Sequence, residues 1–279
     1  MSTQDEAEAE AEALAEARAE AEAEARAEAG AEAEAGAEAE AEAQAEAGAG
    51  LPSASTAEAW GLAALVTVAS AGAVTKAFSE ESAGGPWMLG SMGLVYSALA
   101  AVTIFRLHSR DELGEQLRPR RGDLSVGGFV AALLYGVAMA VHLLVTSPPS
   151  PRSLWIMKLY AALGDPTSDN RHVIGGVVFV VAALEELVWR GLVMRVLAER
   201  HGWLRGWILQ AALFGLAHVP TMILLGDSRV GPNPLLVAAG IAYSLVWGRL
   251  AMRFDRLPPA MFAHALFTWA VFEFPIWRP

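Results

Sequence analysis

The stretch Val173–Leu197, VIGGVVFVVAALEELVWRGLVMRVL, decides the fold class. It is long enough to cross a bilayer, yet its middle carries Glu185, Glu186 and Arg190. A charge at that depth costs roughly 2.5–3.5 kcal/mol on insertion scales. Such groups persist where they pair, face a water-filled cavity or do chemistry. On a helix, Glu186 and Arg190 are four residues apart and share a face, so they can pair. Glu185 points about 100° away and has no partner within its own helix. Buried in this way, it has the environment of a general base. A purely structural salt-bridge lock is the bland alternative.

Six further apolar segments surround this one: Trp60–Phe78, Pro86–Leu107, Val126–Thr146, Trp203–Leu225, Pro234–Met252 and Pro259–Trp277. Pro- and Gly-rich joins punctuate them. Ser153–Leu163 is apolar but too short to span, and Trp155 and Lys158 suit it to the interface. As a re-entrant element it would raise the count by one. The expected fold is an all-α, polytopic transmembrane bundle of about seven to eight spans with a disordered N-terminal tail.

Residues 1–55 form that tail, an acidic Ala/Glu low-complexity run. Residues 56–279 form the membrane-embedded part, with its core motifs in 173–277. The net charge of −11 belongs to the tail: residues 1–50 hold sixteen acids against Arg18 and Arg26, which leaves the other 229 residues at +3. Alternating Glu residues repel at i,i+4 and oppose a stable helix. No basic leader precedes an early apolar run, so no cleavable signal is expected.

Arg106, Arg110, Arg118, Arg120 and Arg121 follow the second segment. Arg195, Arg200 and Arg205 flank the loop after the fourth, and Arg249, Arg253 and Arg256 follow the sixth. The positive-inside rule places these loops and the N-terminus in the cytoplasm, with a cell inner membrane as the expected location. The arginines are accounted for by topology, so nucleic acid is not an expected partner. Peptide or protein substrate and membrane lipids are.

Two later segments each carry a histidine. Phe214-Gly215-Leu216-Ala217-His218 puts an aromatic ring one turn before His218, near mid-segment, and Gly215 permits close helix approach. His264-Ala265-Leu266-Phe267-Thr268 offers two donors on one face, as an oxyanion site requires. Each taken alone is more simply a packing residue or a helix–helix hydrogen bond. Depth counting nevertheless puts Glu185, His218 and His264 between mid-membrane and the cytoplasmic third. His142 is expected to be packing. The run Gly164–Asn170 is expected to be a turn, without calcium-loop spacing.

With no cysteine, thiolate nucleophiles and Cys-ligated metals are excluded. Glu185, His218 and His264 are candidate ligands for one divalent metal such as zinc, although the His-Glu-x-x-His helix is absent. Catalysis by glutamate without metal is the other route.

Together, Glu185-Glu186-x-x-x-Arg190, Phe214-x-x-x-His218 and His264-x-x-x-Thr268 resemble the CPBP family, the type II CAAX prenyl endopeptidase and bacteriocin-processing group of intramembrane proteases. The resemblance covers about residues 120–277. It implies an intramembrane endopeptidase that cuts a peptide near the cytoplasmic interface, with prenylated CAAX tails as the best-known substrate class. By that resemblance Glu185 and His218 activate water, Glu186 pairs with Arg190 in support, and His264 binds the oxyanion. Thr268 stands where the family often has Asn. The alternatives are a non-catalytic immunity or scaffold protein that keeps the fold, and a proton-coupled carrier. Internal repeats, common in carriers, are not found.

Overall fold

The computed structural model describes residues 54–82, 85–147, 149–164 and 171–276. The tail up to residue 53, residues 165–170, where the sequence suggests a turn, and Trp277 lie outside the described residues. Within them the architecture is all helical, and the only ladder-like feature is an isolated bridge between Asp227 and Gly231.

Five helices are long and apolar enough to cross a membrane: α1 (Thr56–Ala77), α2 (Pro86–Ser109), α4 (Asp123–Thr146), the broken run Trp203–Leu224, and α10 (Leu235–Phe254). Between them lie α3 (Leu113–Leu117) and α5 (Ser153–Leu163). The broken run is α8 (Trp203–Ala217) followed by α9 (Pro220–Leu224). The sequence pattern counts seven to eight spans. The difference falls on the elements that carry the polar cluster. Helix α6 (Arg171–Val188) holds three charged residues, and α11 (Pro258–Glu273) is 16 residues long.

Helix α6 does not stop at Val188. It widens into a π turn over Trp189–Met194 and resumes as α7 (Arg195–His201). Such wide turns gather at functional sites. Here every side chain of the turn is buried. Helices α2, α8, α10 and α11 pack around this α6–π–α7 rod, and α4 covers the outer side of α11. By contrast, α4 turns Phe129, Leu133 and Leu144 outward, as a lipid-facing helix does.

The α4–α11 crossing is unusually close. A Cβ built on Gly127 would sit 2.5 Å from Phe262 Cβ and 2.9 Å from the Ala263 backbone nitrogen. Neither atom can swing aside. Gly127→Ala should therefore push α11 off α4 and lower stability by about 1–3 kcal/mol, read as a fall in thermal midpoint in detergent. An unchanged midpoint would show that this crossing is slack.

Helix α11 is also fixed at its start. Gln116 of α3 donates to the Asp255 carbonyl (3.2 Å) and accepts from Leu257 N–H (3.0 Å) through its own carbonyl. Arg256 forms a buried ion pair with Asp123. Two residues later Pro258 begins the helix that carries His264. On the same side, Arg106 pairs with Glu58 (2.5 Å), Arg195 with Glu112 (2.5 Å), and Arg110 with Glu199. Several of the basic residues that signal orientation are thus internally paired as well.

Helix α5 has the bounds its sequence suggests. Trp155 Nε1 donates to the Gly231 carbonyl (3.1 Å) and Lys158 bonds the Gly226 carbonyl. The two residues hold the 226–233 loop.

Candidate active site

Glu186 and Arg190 are both fully buried and bonded at 2.8 Å, Nη1 to Oε1. Arg190 Nη2 donates to the Ser244 carbonyl (3.0 Å) and to Ser244 Oγ (2.8 Å). Gln210 Nε2 donates to the same hydroxyl at 3.1 Å. The guanidinium lies 5.3 Å from the Phe214 ring centre and 5.6 Å from that of Trp247. The guanidinium is thereby held by one carboxylate, one serine and two aromatic faces, while its Nε has no partner.

Glu186 Oε1 takes a second bond, 2.7 Å from His264 Nδ1. Trp247 stacks on the imidazole with centroids 3.7 Å apart and planes 19° apart. Ring and carboxylate together fix the orientation of His264 and put its Nε2 at 3.6 Å from Glu185 Oε2. With Nδ1–H given to Glu186, Nε2 of the neutral ring is a lone pair. It donates only when the ring carries a second proton. In that state the two carboxylates, the guanidinium and the imidazolium balance in charge.

His218 is not inside a helix, as its mid-segment position suggests. Helix α8 ends at Ala217, and the chain turns through His218 and Val219 before Pro220 starts α9. The His218 N–H bonds the Gly215 carbonyl at 3.0 Å, which releases the Phe214 carbonyl. His218 Nδ1–H takes up that carbonyl at 2.8 Å, which leaves Nε2 as the basic nitrogen. Its ring leans on Phe214, centroids 4.7 Å apart, and is only half-buried. Phe214 also meets the edges of Trp189, Trp247 and His264, so it is the spacer between the two imidazoles. Gly215 sits against α10: a Cβ there would come within 2.2 Å of Ile241 Cγ1.

Thr268 lies one turn beyond His264 on α11 and is half-buried. The cluster's hydrogen bonds, among the described residues, do not include it. The geometry thus gathers Glu185, Glu186, Arg190, Phe214, His218 and His264 and leaves Thr268 at the margin.

Residues 169–270 match the family model of type II CAAX prenyl endopeptidase Rce1-like proteins. This segment is similar to that family. The match agrees with the motif resemblance and spans α6 to most of α11, the elements that carry the cluster. The Rce1-like family is one of proteases, so the match supports CAAX-type intramembrane proteolysis and a peptide or protein substrate in general terms. With the five apolar helices it makes this an integral membrane protein. No curated protein and no solved structure matches the chain.

Around the Rce1-like motifs the structure adds residues that pattern reading passes over. Ser244, Gln210 and Trp247 hold Arg190 and His264, and Tyr96 reaches the site from α2. Gln210 had a signal in sequence, a lone amide in an apolar run. Ser244 and Tyr96 had none, because hydroxyls are ordinary in membrane helices. Among the described residues, no three His, Asp or Glu side chains are grouped to hold an ion. His264 bonds Glu186 through Nδ1 and His218 bonds a backbone carbonyl through Nδ1, so both rings keep Nε2 free.

Proposed function

We propose that the chain is an endopeptidase of the membrane interior that hydrolyses a peptide bond near the cytoplasmic interface, as in CAAX processing. The carrying observation is the buried Glu185 carboxylate 3.6 Å from His264 Nε2, with the His218 ring, its Nε2 free, joined to His264 through the Phe214 ring. Glu185, assisted by His218, takes a proton from water. The resulting hydroxide attacks the scissile carbonyl carbon. The proton then passes to the departing amine, which closes the balance. His264 donates from Nε2 to the oxyanion in its doubly protonated state, held in place by Glu186 and Trp247. The Glu186–Arg190–Ser244–Gln210 network fixes the frame. Thr268 is the outer candidate donor to the oxyanion, one turn from His264.

The substrate is a peptide or protein tail, lipid-modified where it resembles CAAX substrates. The setting is a cell inner membrane with the N-terminus cytoplasmic, supported by the arginine asymmetry. The chain divides into the acidic segment 1–55 and the protease domain 56–279. The reading takes the metal-free route, with Glu185 as the base. Purified protein in lipid nanodiscs should cleave a quenched fluorescent peptide with a farnesylated CAAX terminus. Treatment with 1,10-phenanthroline should leave that rate unchanged. Loss of the rate, restored by zinc, would put an ion in the mechanism.

A non-catalytic immunity or scaffold role is the second reading. It is favoured by the marginal place of Thr268 and by the closed lock around Arg190. It expects function to survive loss of Glu185 and to fail with loss of Arg190.

A further inference from the structure

Arg106, Arg110, Arg195 and Arg256 are spent inside the fold, in pairs with Glu58, Glu199, Glu112 and Asp123. Arg200, Arg205 and Arg249 are not. All three are exposed, and none of them is in an ion pair among the described residues. Between Arg190 and Phe254 the acids are Glu199 and Asp227. Glu199 is bonded to Arg110 and to the Ala54 N–H, and Asp227 pairs with Lys158 at the 226–233 loop. No nearby carboxylate in this stretch is left to answer the three guanidiniums.

The fold brings these cations to one membrane end. Helices α7 and α8 turn at Gly202, whose φ of 83° lies in the left-handed region. Gly206 then lies against Ala198, where a Cβ would meet the backbone nitrogen at 2.6 Å. Arg200 and Arg205 thus stand on either side of a tight hairpin. Trp207 joins α8 to α10: its Nε1 donates to the Leu245 carbonyl at 2.9 Å, and its ring lies against Gly248. Arg205 comes two residues before that contact and Arg249 directly after it. Both helices belong to runs long and apolar enough to cross a membrane, and these are the ends that meet. Beside the arginines, Trp203, Leu204 and Ile208 are exposed. Orientation of a span asks only for positive charge somewhere in the loop. Here three unpaired guanidiniums gather at one helix contact, above an apolar surface.

We propose that Arg200, Arg205 and Arg249 form a binding site for the headgroup of an anionic phospholipid. The planar guanidiniums hold the phosphate oxygens, and the acyl chains lie along Leu204 and Ile208. A phosphate shared by Arg205 and Arg249 ties α8 to α10, the helices that bring Gln210 and Ser244 to Arg190. The site stands apart from the proposed hydrolysis, since lipid is bound without turnover.

The test uses the full chain, purified in detergent with equal parts of phosphatidylglycerol and phosphatidylcholine and read by native mass spectrometry for retained lipid. Wild type should retain phosphatidylglycerol over phosphatidylcholine by roughly tenfold to a hundredfold, the preference that three arginines at a membrane surface can give. Arg200→Gln, Arg205→Gln and Arg249→Gln should each lower that ratio by about fivefold. The triple variant Arg118→Gln, Arg120→Gln, Arg121→Gln removes more charge than any of these, from the loop before α4, and should leave the ratio near the wild-type value. Equal retention of the two lipids by wild type would overturn the assignment. So would a wild-type ratio in the three single variants. An equal fall in the loop variant would overturn it too, because the preference would then belong to the whole basic face.

Discussion

Glu185→Gln is expected to reduce peptide hydrolysis by about 10²–10⁴-fold, the contribution of a positioned general base. The amide keeps the size of the side chain and loses its basicity. It still offers a donor to His264 Nε2, so the surrounding helices need not move. The melting curve should stay close to that of wild type. Glu186→Gln should behave differently, because Glu186 is bonded at one oxygen to both Arg190 and His264. Its loss disturbs folding and activity together. A Glu185→Gln protein with full activity would remove the carboxylate from the chemistry and favour a structural role for the cluster.

The largest stability effect is expected from Arg190→Met. The guanidinium is fully buried and is the counter-charge of a fully buried Glu186. Its removal leaves a carboxylate in a low-dielectric interior and also takes from Ser244 one of its two donors, leaving Gln210. Breaking one partner of such a pair costs about 3–5 kcal/mol. The double variant Glu186→Gln, Arg190→Met should recover part of that loss, since no buried charge is then orphaned. His264 would still lack its carboxylate partner, so activity should not return with stability. Thermal unfolding in detergent, read for the two single variants and the double variant, measures the coupling. Additive losses would mean that the two groups do not depend on each other.

The contrast between these variants follows the division between what the sequence discloses and what it hides. Charges and imidazoles are rare in apolar segments, so Glu185, Glu186, Arg190, His218 and His264 stand out by cost alone. The Glu186–Arg190 pair is a local, four-residue relation on one rod, and it forms although Arg190 already lies in the π turn. The bounds of α5 follow from the prolines before it and Gly164 after it. Other features depend on which faces meet. The stacking of Trp247 on His264, the clamp of Ser244 on Arg190 and the approach of Tyr96 join residues more than fifty positions apart or lying on different helices. Nothing in their local pattern separates them from ordinary helix-packing residues. The break at His218 was signalled by Pro220, but its consequence was not: the freed Phe214 carbonyl fixes the tautomer of the ring. The span count differs because α6 is charged and α11 is short, both consequences of carrying the site.

The central claim, that Glu185 drives proteolysis in the membrane, is tested most directly in cells. Membranes from host cells expressing wild type or Glu185→Gln at equal abundance should be compared by mass spectrometry of protein termini. The account predicts termini present only with wild type, at sites near the cytoplasmic interface. Identical termini in the two strains, with the variant folded and equally abundant, would contradict it.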